Sequence, residues 1–183
     1  MALTDQDRAR LLAVYRERVA GYANVDADFA LRWHRWCCTL LSHGGVLVVP
    51  PRGPEPDLDL LLAAAVAFIS KARFVEGDSN ACHANVAAPW VDGEVELIGT
   101  GHALSDDGLW RQHSWGVDSN ATVETTFGRV AYVGITLGAT PSVQFAAGHD
   151  GDHLSAVVAA GGTRARELTD LIRAARTASS GSD

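Results

Sequence analysis

The stretch Glu76-Gly-Asp-Ser-Asn-Ala-Cys82-His-Ala-Asn-Val-Ala-Ala-Pro89-Trp90 carries chemistry-bearing residues at telling positions. Polar turn residues lead into Cys82, and Ala, Asn and Val follow at helix-compatible positions. Cys82 is therefore expected in the first turn of a short helix. Free N–H donors and partial positive charge there lower a thiol pKa. The same N–H groups can form part of an oxyanion hole. The competing reading is a small buried cysteine. That reading suits Cys37 and Cys38, which lie on a helix face, better than Cys82, whose neighbours Asp78, Ser79, Asn80, His83 and Asn85 are polar.

A second stretch, Leu109-Trp110-Arg111-Gln112-His113-Ser114-Trp115-Gly116-Val117, reads as a strand. Alternation puts Leu109, Arg111, His113, Trp115 and Val117 on one face, and Trp110, Gln112, Ser114 and Gly116 on the other. A base at His113 needs an acceptor to orient its second ring nitrogen. Glu124, in Val123-Glu124-Thr125-Thr126 after a turn at Asp118 to Asn120, can lie beside it on an adjacent antiparallel strand. The alternative is a core histidine satisfied by a backbone carbonyl, with Glu124 in a surface ion pair. Trp90, Trp110 and Trp115 are candidate walls of a substrate cleft.

Cysteine on a helix N-terminus, histidine on a strand and an acid on the next strand is the order of nucleophile, base and orienter. It resembles the papain-like and transglutaminase-like thiol enzymes. Their His-x-Trp strand followed by a short strand with an acid and Thr is matched by His113-Ser114-Trp115 and Glu124-Thr125-Thr126. The resemblance implies Cys82 as nucleophile, His113 as general base and Glu124 as orienter. It also implies a papain-like core and acyl transfer on an amide, ester or thioester. Two departures stand out. The family acid is more often Asp or Asn, and the usual upstream Gln of the oxyanion hole is missing, so Asn80, Ser79 or Asn85 would substitute.

Metal chemistry is the rival. Cys82, His83, His102 and His113 are zinc-ligand types, but no Cys-x-x-Cys or His-Glu-x-x-His spacing supports them. His149 and His153 form a second, weaker pair. A binding module without catalysis is the third reading, with the tryptophans as core or partner surface. No Gly-rich phosphate loop and no Gly-x-Ser-x-Gly elbow appears, so no cofactor is expected.

The elements that must position these residues follow from periodicity. Thr4 and Asp7 resemble a capping box before a helix with Leu11, Leu12, Tyr15, Val19 and Tyr22 on one face. A second helix is expected from Asp26 to His43, stopped by Gly44-Gly45, and a short β run over Val46 to Val49. Pro50 to Pro56 reads as a rigid loop. A third, Ala- and Leu-rich helix is expected over Asp57 to Phe74. Strands are expected over Glu94 to Leu104, Leu109 to Val117, Ala121 to Thr126, Arg129 to Leu137 and Ser142 to Ala147. A last helix follows over Thr163 to Arg176, then a frayed tail. The fold class is α+β in a single domain, with helices over 1–75 packed on an antiparallel sheet. The cysteine helix and sheet occupy 76–147 and C-terminal helices 148–177.

The 183 residues are 47 % hydrophobic and 20 % charged, which is ordinary globular usage. A net charge of −7, from 22 acidic and 15 basic residues, speaks against nucleic acid as the main partner. The longest apolar run, Leu58 to Ile69, is too short to span a bilayer, and the N-terminus lacks a signal peptide's pattern. With two adjacent cysteines among three, reduced thiols are expected. The expectation is a cytoplasmic protein acting on a small molecule or peptide.

Overall fold

The computed structural model describes residues 4–68, 72–119, 121–126 and 128–180. It divides into two units. The first comprises residues 1–69, 101–113 and 128–135; the second comprises 70–100, 114–127 and 136–183.

The first unit begins with α1 (Asp5–Ala20). The Thr4 side chain caps it by accepting the Asp7 N–H at 3.1 Å, while Asp7 accepts the Thr4 hydroxyl at 2.6 Å. This is the Thr4 half of the expected capping box; Asp7, standing where Glu is usual, bonds the Thr4 hydroxyl. A 3-10 turn at Gly21–Asn24 leads to α2 (Phe29–Ser42), which buries Phe29, Trp33, Trp36 and Leu40 along one stripe. Tyr22, Phe29 and Trp33 pack ring on ring, at 5.3 Å edge-on and 5.9 Å stacked. Gly44 and Gly45 then adopt φ of +106° and +82°. A Cβ on Gly45 would also meet the Trp110 indole nitrogen at 2.9 Å, so the helix stop and the Trp110 seat depend on the same glycine.

Strand β1 (Leu47–Val48) runs parallel to the start of β5 (Leu109–Asp118), pairing Leu47 with Leu109 and Val48 with Trp110. Strand β2 (Val66–Phe68) runs antiparallel to β7 (Arg129–Thr136). Between β1 and β2 lies α3 (Leu58–Ala64), which anchors itself with Leu58 and Leu61.

In the second unit β3 (Ala72–Phe74) pairs parallel with β6 (Ala121–Glu124), and β6 pairs antiparallel with the end of β5. Helix α4 (Cys82–Asp92) buries Val86, Ala87, Trp90 and Val91. It stops at Gly93, whose φ is +79°. The Arg164 guanidinium donates to the Trp90 and Val91 carbonyls and lies 5.2 Å from the Trp90 ring centre. One cation thus caps the end of α4 and packs on its main anchor. Helices α5 (Ala139–His149), α6 (Gly151–Ala160) and α7 (Thr163–Ser180) pack on one another, and α4 touches α5 and α6.

Hydrogen-bonded strands follow the order β2-β7-β4-β5-β6-β3, with β1 beside β5; β4 is Leu97–Ser105. The chain is therefore mixed helix and strand, as expected, but the sheet is mixed rather than antiparallel. Short turns between consecutive strands imply antiparallel neighbours, which holds for β5 and β6. The parallel partners β1 and β3 enter from the first half of the chain through long connections, where no turn signal marks them.

Two element expectations are corrected. The helix expected over Asp57 to Phe74 ends at Ala64, where Ala65 turns extended at ψ 140°. Val66, Phe68 and Phe74 suit strands, and ladder partners on β7 and β6 outweigh the helix propensity of the Ala-Leu run. Ile69 to Lys71 of that span lie outside the described residues, as does Asn120 of the expected turn. The strand expected over Ser142 to Ala147 is instead helix α5, whose buried residues Ser142, Val143 and Ala146 follow helical spacing. Pro141 falls in its first turn, where proline needs no N–H partner. The last helix runs beyond Arg176 to Ser180. Among the described residues no helix is long and apolar enough to cross a membrane.

Candidate functional site

Cys82, Asn80, Asn85, Trp115 and Glu124 belong to the second unit; His113 and Trp110 belong to the first.

In the second unit the chain leaves β3 with the Val75 N–H donating to the Glu124 carbonyl at 2.8 Å. The loop that follows is clamped by Asn85, one turn into α4. Its Oδ1 accepts the Asp78 N–H at 3.1 Å, and its Nδ2 donates to the Asp78 carbonyl at 2.8 Å and to the Thr125 carbonyl at 3.5 Å. Gly77 is required here, because a Cβ would lie 2.6 Å from Asn85 Nδ2 and 2.8 Å from the Thr125 carbonyl. Asn80 sits at the exposed tip with φ +62°, a conformation that Asn tolerates better than most residues. The amide of Asn85 is thus committed to holding the loop, and Asn80 shapes its tip.

Cys82 is the first residue of α4 and half-buried. The residue before it, Ala81, has no polar side chain to cap the helix. The first-turn N–H groups of a helix lack intrahelical acceptors, and they supply the partial positive charge at this end.

Beside it, His83 Nδ1 lies 2.8 Å from Ser114 Oγ, and Ser114 lies 3.1 Å from Thr100 Oγ1. The His83 ring stacks on His149 at 4.7 Å and meets Phe145 edge-on at 5.7 Å. Burial lowers the His149 pKa below the ordinary imidazole value. Neither Ser114 nor His149 stood out in the sequence as a His83 neighbour. Ser114 is the one hydroxyl on its face of the β5 stretch, and that is the signal that could have found it.

Glu124 closes β6 with 1 % of its surface exposed. Its Oε1 accepts the Thr125 N–H at 3.0 Å, the Thr126 N–H at 2.7 Å and the Thr126 hydroxyl at 2.8 Å. The acid is therefore a buried, hydrogen-bonded group held by its own strand end. Register places Thr122 opposite Val117, so Glu124 points to the face of β5 that carries Val117 and Trp115. Trp115 is fully buried, and its indole occupies the space a side chain on Gly99 would need.

In the first unit His113 is 1 % exposed and stacks on Tyr132 at 6.3 Å. His102, on β4, is fully buried between Trp33 and Trp36. Trp36 donates its indole N–H to His102 Nδ1 at 3.1 Å. That bond fixes the neutral tautomer with the proton on Nε2, which has no partner among the described residues. Burial first, and His113 second, push the His102 pKa down to about 3. Trp110 is also fully buried, donating to the Gly44 carbonyl at 2.8 Å. The tryptophans considered as cleft walls thus stand in the core, Trp90 at 4 % exposure included. Gln112 donates to Glu55 at 2.9 Å, and burial, helped by Asp57, pushes the Glu55 pKa up to about 7.

Among the described residues no three His, Cys, Asp or Glu side chains converge as a metal site. His153 hydrogen-bonds Asp92 at 2.9 Å instead of sharing a helix face with His149, since α5 ends at His149 and α6 starts at Gly151. Comparison with protein-family models, curated proteins and solved structures gave no match.

Proposed function

We propose that this chain is a thiol-dependent acyl-transfer enzyme of the papain-like and transglutaminase-like kind. Its substrate is a small molecule or peptide bearing an amide, ester or thioester, met in the cytoplasm. Cys82 is the nucleophile, His113 the general base and Glu124 the orienter.

The observation that carries the reading is the placement of Cys82 at the start of an eleven-residue helix behind an uncapping alanine. A thiolate there is favoured by the helix N-terminus, and the backbone N–H groups of this first turn are the oxyanion donors in this reading. The Asn85 clamp ties the loop before that helix to the helix's own first turn.

In the proposed reaction His113 accepts the thiol proton as sulfur attacks the carbonyl. The tetrahedral adduct collapses to an acyl-enzyme, and the leaving group departs with the proton. Water or an amine then attacks the thioester and regenerates Cys82. A buried, hydrogen-bonded carboxylate such as Glu124 is the type of group that holds an imidazole in one tautomer.

Iodoacetamide labelling at mildly acidic pH with site mapping tests the assignment. Cys82 is expected to react at least tenfold faster in the native protein than in the urea-unfolded chain, and His113→Gln to abolish that advantage. Exposure to an acyl-donor library is expected to leave an acyl mass on Cys82 of the wild type. Native Cys82 reacting no faster than the unfolded thiol would sink the proposal. Loss of reactivity in His83→Gln with His113→Gln unaffected would move the base role to His83, whose Nδ1 already engages Ser114.

A further inference from the structure

A cavity of about 440 Å³ lies in the first unit, within the size range of small-molecule sites. Its walls come from α1, α2 and β1, including Leu12, Val19, Trp33, Leu41, Leu47 and Val48. His34 and Cys38 also line it, and both are exposed. They are four residues apart on α2, so they share one helix face, and His34 Nε2 lies 3.8 Å from Cys38 Sγ. Cys37, which also lines the cavity, is half-buried, and burial pushes its thiol up to about 12. Of the two adjacent thiols, Cys38 alone combines solvent access with an imidazole at hydrogen-bonding distance.

The lining is mostly apolar, with Tyr15 and Arg16 of α1 beside the aliphatic and indole groups, so the matching occupant is a hydrocarbon chain. The thiol and base at the opening give that chain a point of attachment. We propose that Cys38 is an acylation site: it takes a long-chain acyl group from an acyl thioester and seats the chain in this cavity. His34 Nε2 accepts the Cys38 proton as Sγ attacks the thioester carbonyl. A new carbon–sulfur bond forms to Cys38, the bond to the donor sulfur breaks, and the donor leaves as a thiol carrying the proton from His34. One thioester replaces another, with no change of oxidation state. Each methylene buried by the apolar wall adds to the preference for a long chain over a short one. This site is separate from the chemistry assigned to Cys82.

The test is incubation of the full chain with the palmitoyl and acetyl thioesters of coenzyme A, followed by intact mass and site mapping. A hydroxylamine-sensitive palmitoyl adduct on Cys38 is expected, formed at least tenfold faster than the acetyl adduct. Cys38→Ser should remove it, and His34→Gln should slow it by at least tenfold, since general-base help is typically worth ~10²-fold or more. Ala30→Phe, which narrows the cavity, should erase the chain-length preference. Cys82→Ala should acylate at the wild-type rate, so the outcome is independent of the acyl-transfer reading. An adduct confined to Cys37 or Cys82, equal rates for the two donors, or a wild-type rate in His34→Gln would each overturn the proposal.

Discussion

Helices α2 and α4 both carry cysteines, and their surroundings differ in kind. In α2 the thiols sit mid-helix, where the backbone N–H groups are already bonded within the helix. What Cys37 and Cys38 meet is decided by the helix face: Cys37 turns inward and its proton is held tightly, while Cys38 turns outward onto His34. In α4 the thiol sits at the first residue, where the helix end itself supplies the electrostatics. The same residue type thus takes its chemistry from side-chain neighbours in one helix and from backbone position in the other. The anchoring differs as well. Helix α2 is held by an aromatic stripe closed over a neutral histidine, and α4 by one tryptophan capped by Arg164.

The largest expected effect breaks the α2 anchor. Trp36→Ala removes a fully buried indole and leaves His102 Nδ1 without its donor. Denaturant unfolding should show a loss of about 3–5 kcal/mol. A loss under 1 kcal/mol would mean that the aromatic stripe is not what holds α2.

Next is the acid response of the same region. His102 is neutral when folded, with its pKa depressed from 6.5 to about 3. Its contribution is therefore present above pH 6.5 and is lost as pH falls from 6.5 toward 3, by ~5 kcal/mol at most. In His102→Gln the stability curve should flatten over that window. An unchanged curve would assign the acid sensitivity elsewhere.

Glu55 behaves oppositely. Its folded pKa is raised from 4.5 to about 7, so its protonated form favours the fold. That contribution is complete below pH 4.5 and is lost as pH rises through 7. Glu55→Gln, which keeps an acceptor for Gln112, should be nearly neutral at pH 4 and stabilising at pH 8 by up to ~3 kcal/mol. Chemical unfolding at the two pH values compares them directly.

The smallest effect sharpens the comparison from the α4 side. Asn85→Ala frees the loop before Cys82 and should cost about 1–2 kcal/mol. Hydrogen exchange should quicken at Asp78 and leave α2 untouched. The Cys82 alkylation rate should change while the Cys38 rate does not. Equal changes at both cysteines would show that the two helices are not independently supported.

Much of the scaffold was legible because it is local. The Thr4 cap, the α2 stripe from Phe29 to Leu40, the Gly44-Gly45 stop and the start of α4 at Cys82 depend on residues a few positions apart. The misread spans are those whose state is set by distant partners. Val66 to Phe68 and Ala72 to Phe74 are strands because β7 and β6 offer them ladders. Ser142 to Ala147 belongs to a helix, α5, that packs on α4 and α7 and holds Pro141 in its first turn.

The sequence by itself determined which residues could do chemistry: Cys82 behind a polar loop, His113 and Glu124 on strand-forming runs, and ordinary thiols on the α2 face. Tertiary structure decided what each can reach. It turned Asn85 into a loop clamp, placed Trp110 and Trp115 in the core, gave His83 to Ser114 and His149, and buried Glu124. It also brought α1 and β1, distant in sequence, beside the Cys38–His34 pair of α2 around a mostly apolar cavity. The physical reason is range. Caps, turns and periodicity act over about one helical turn or one strand pair. Burial, ladder pairing and side-chain hydrogen bonds depend on which distant segments the folded chain brings together.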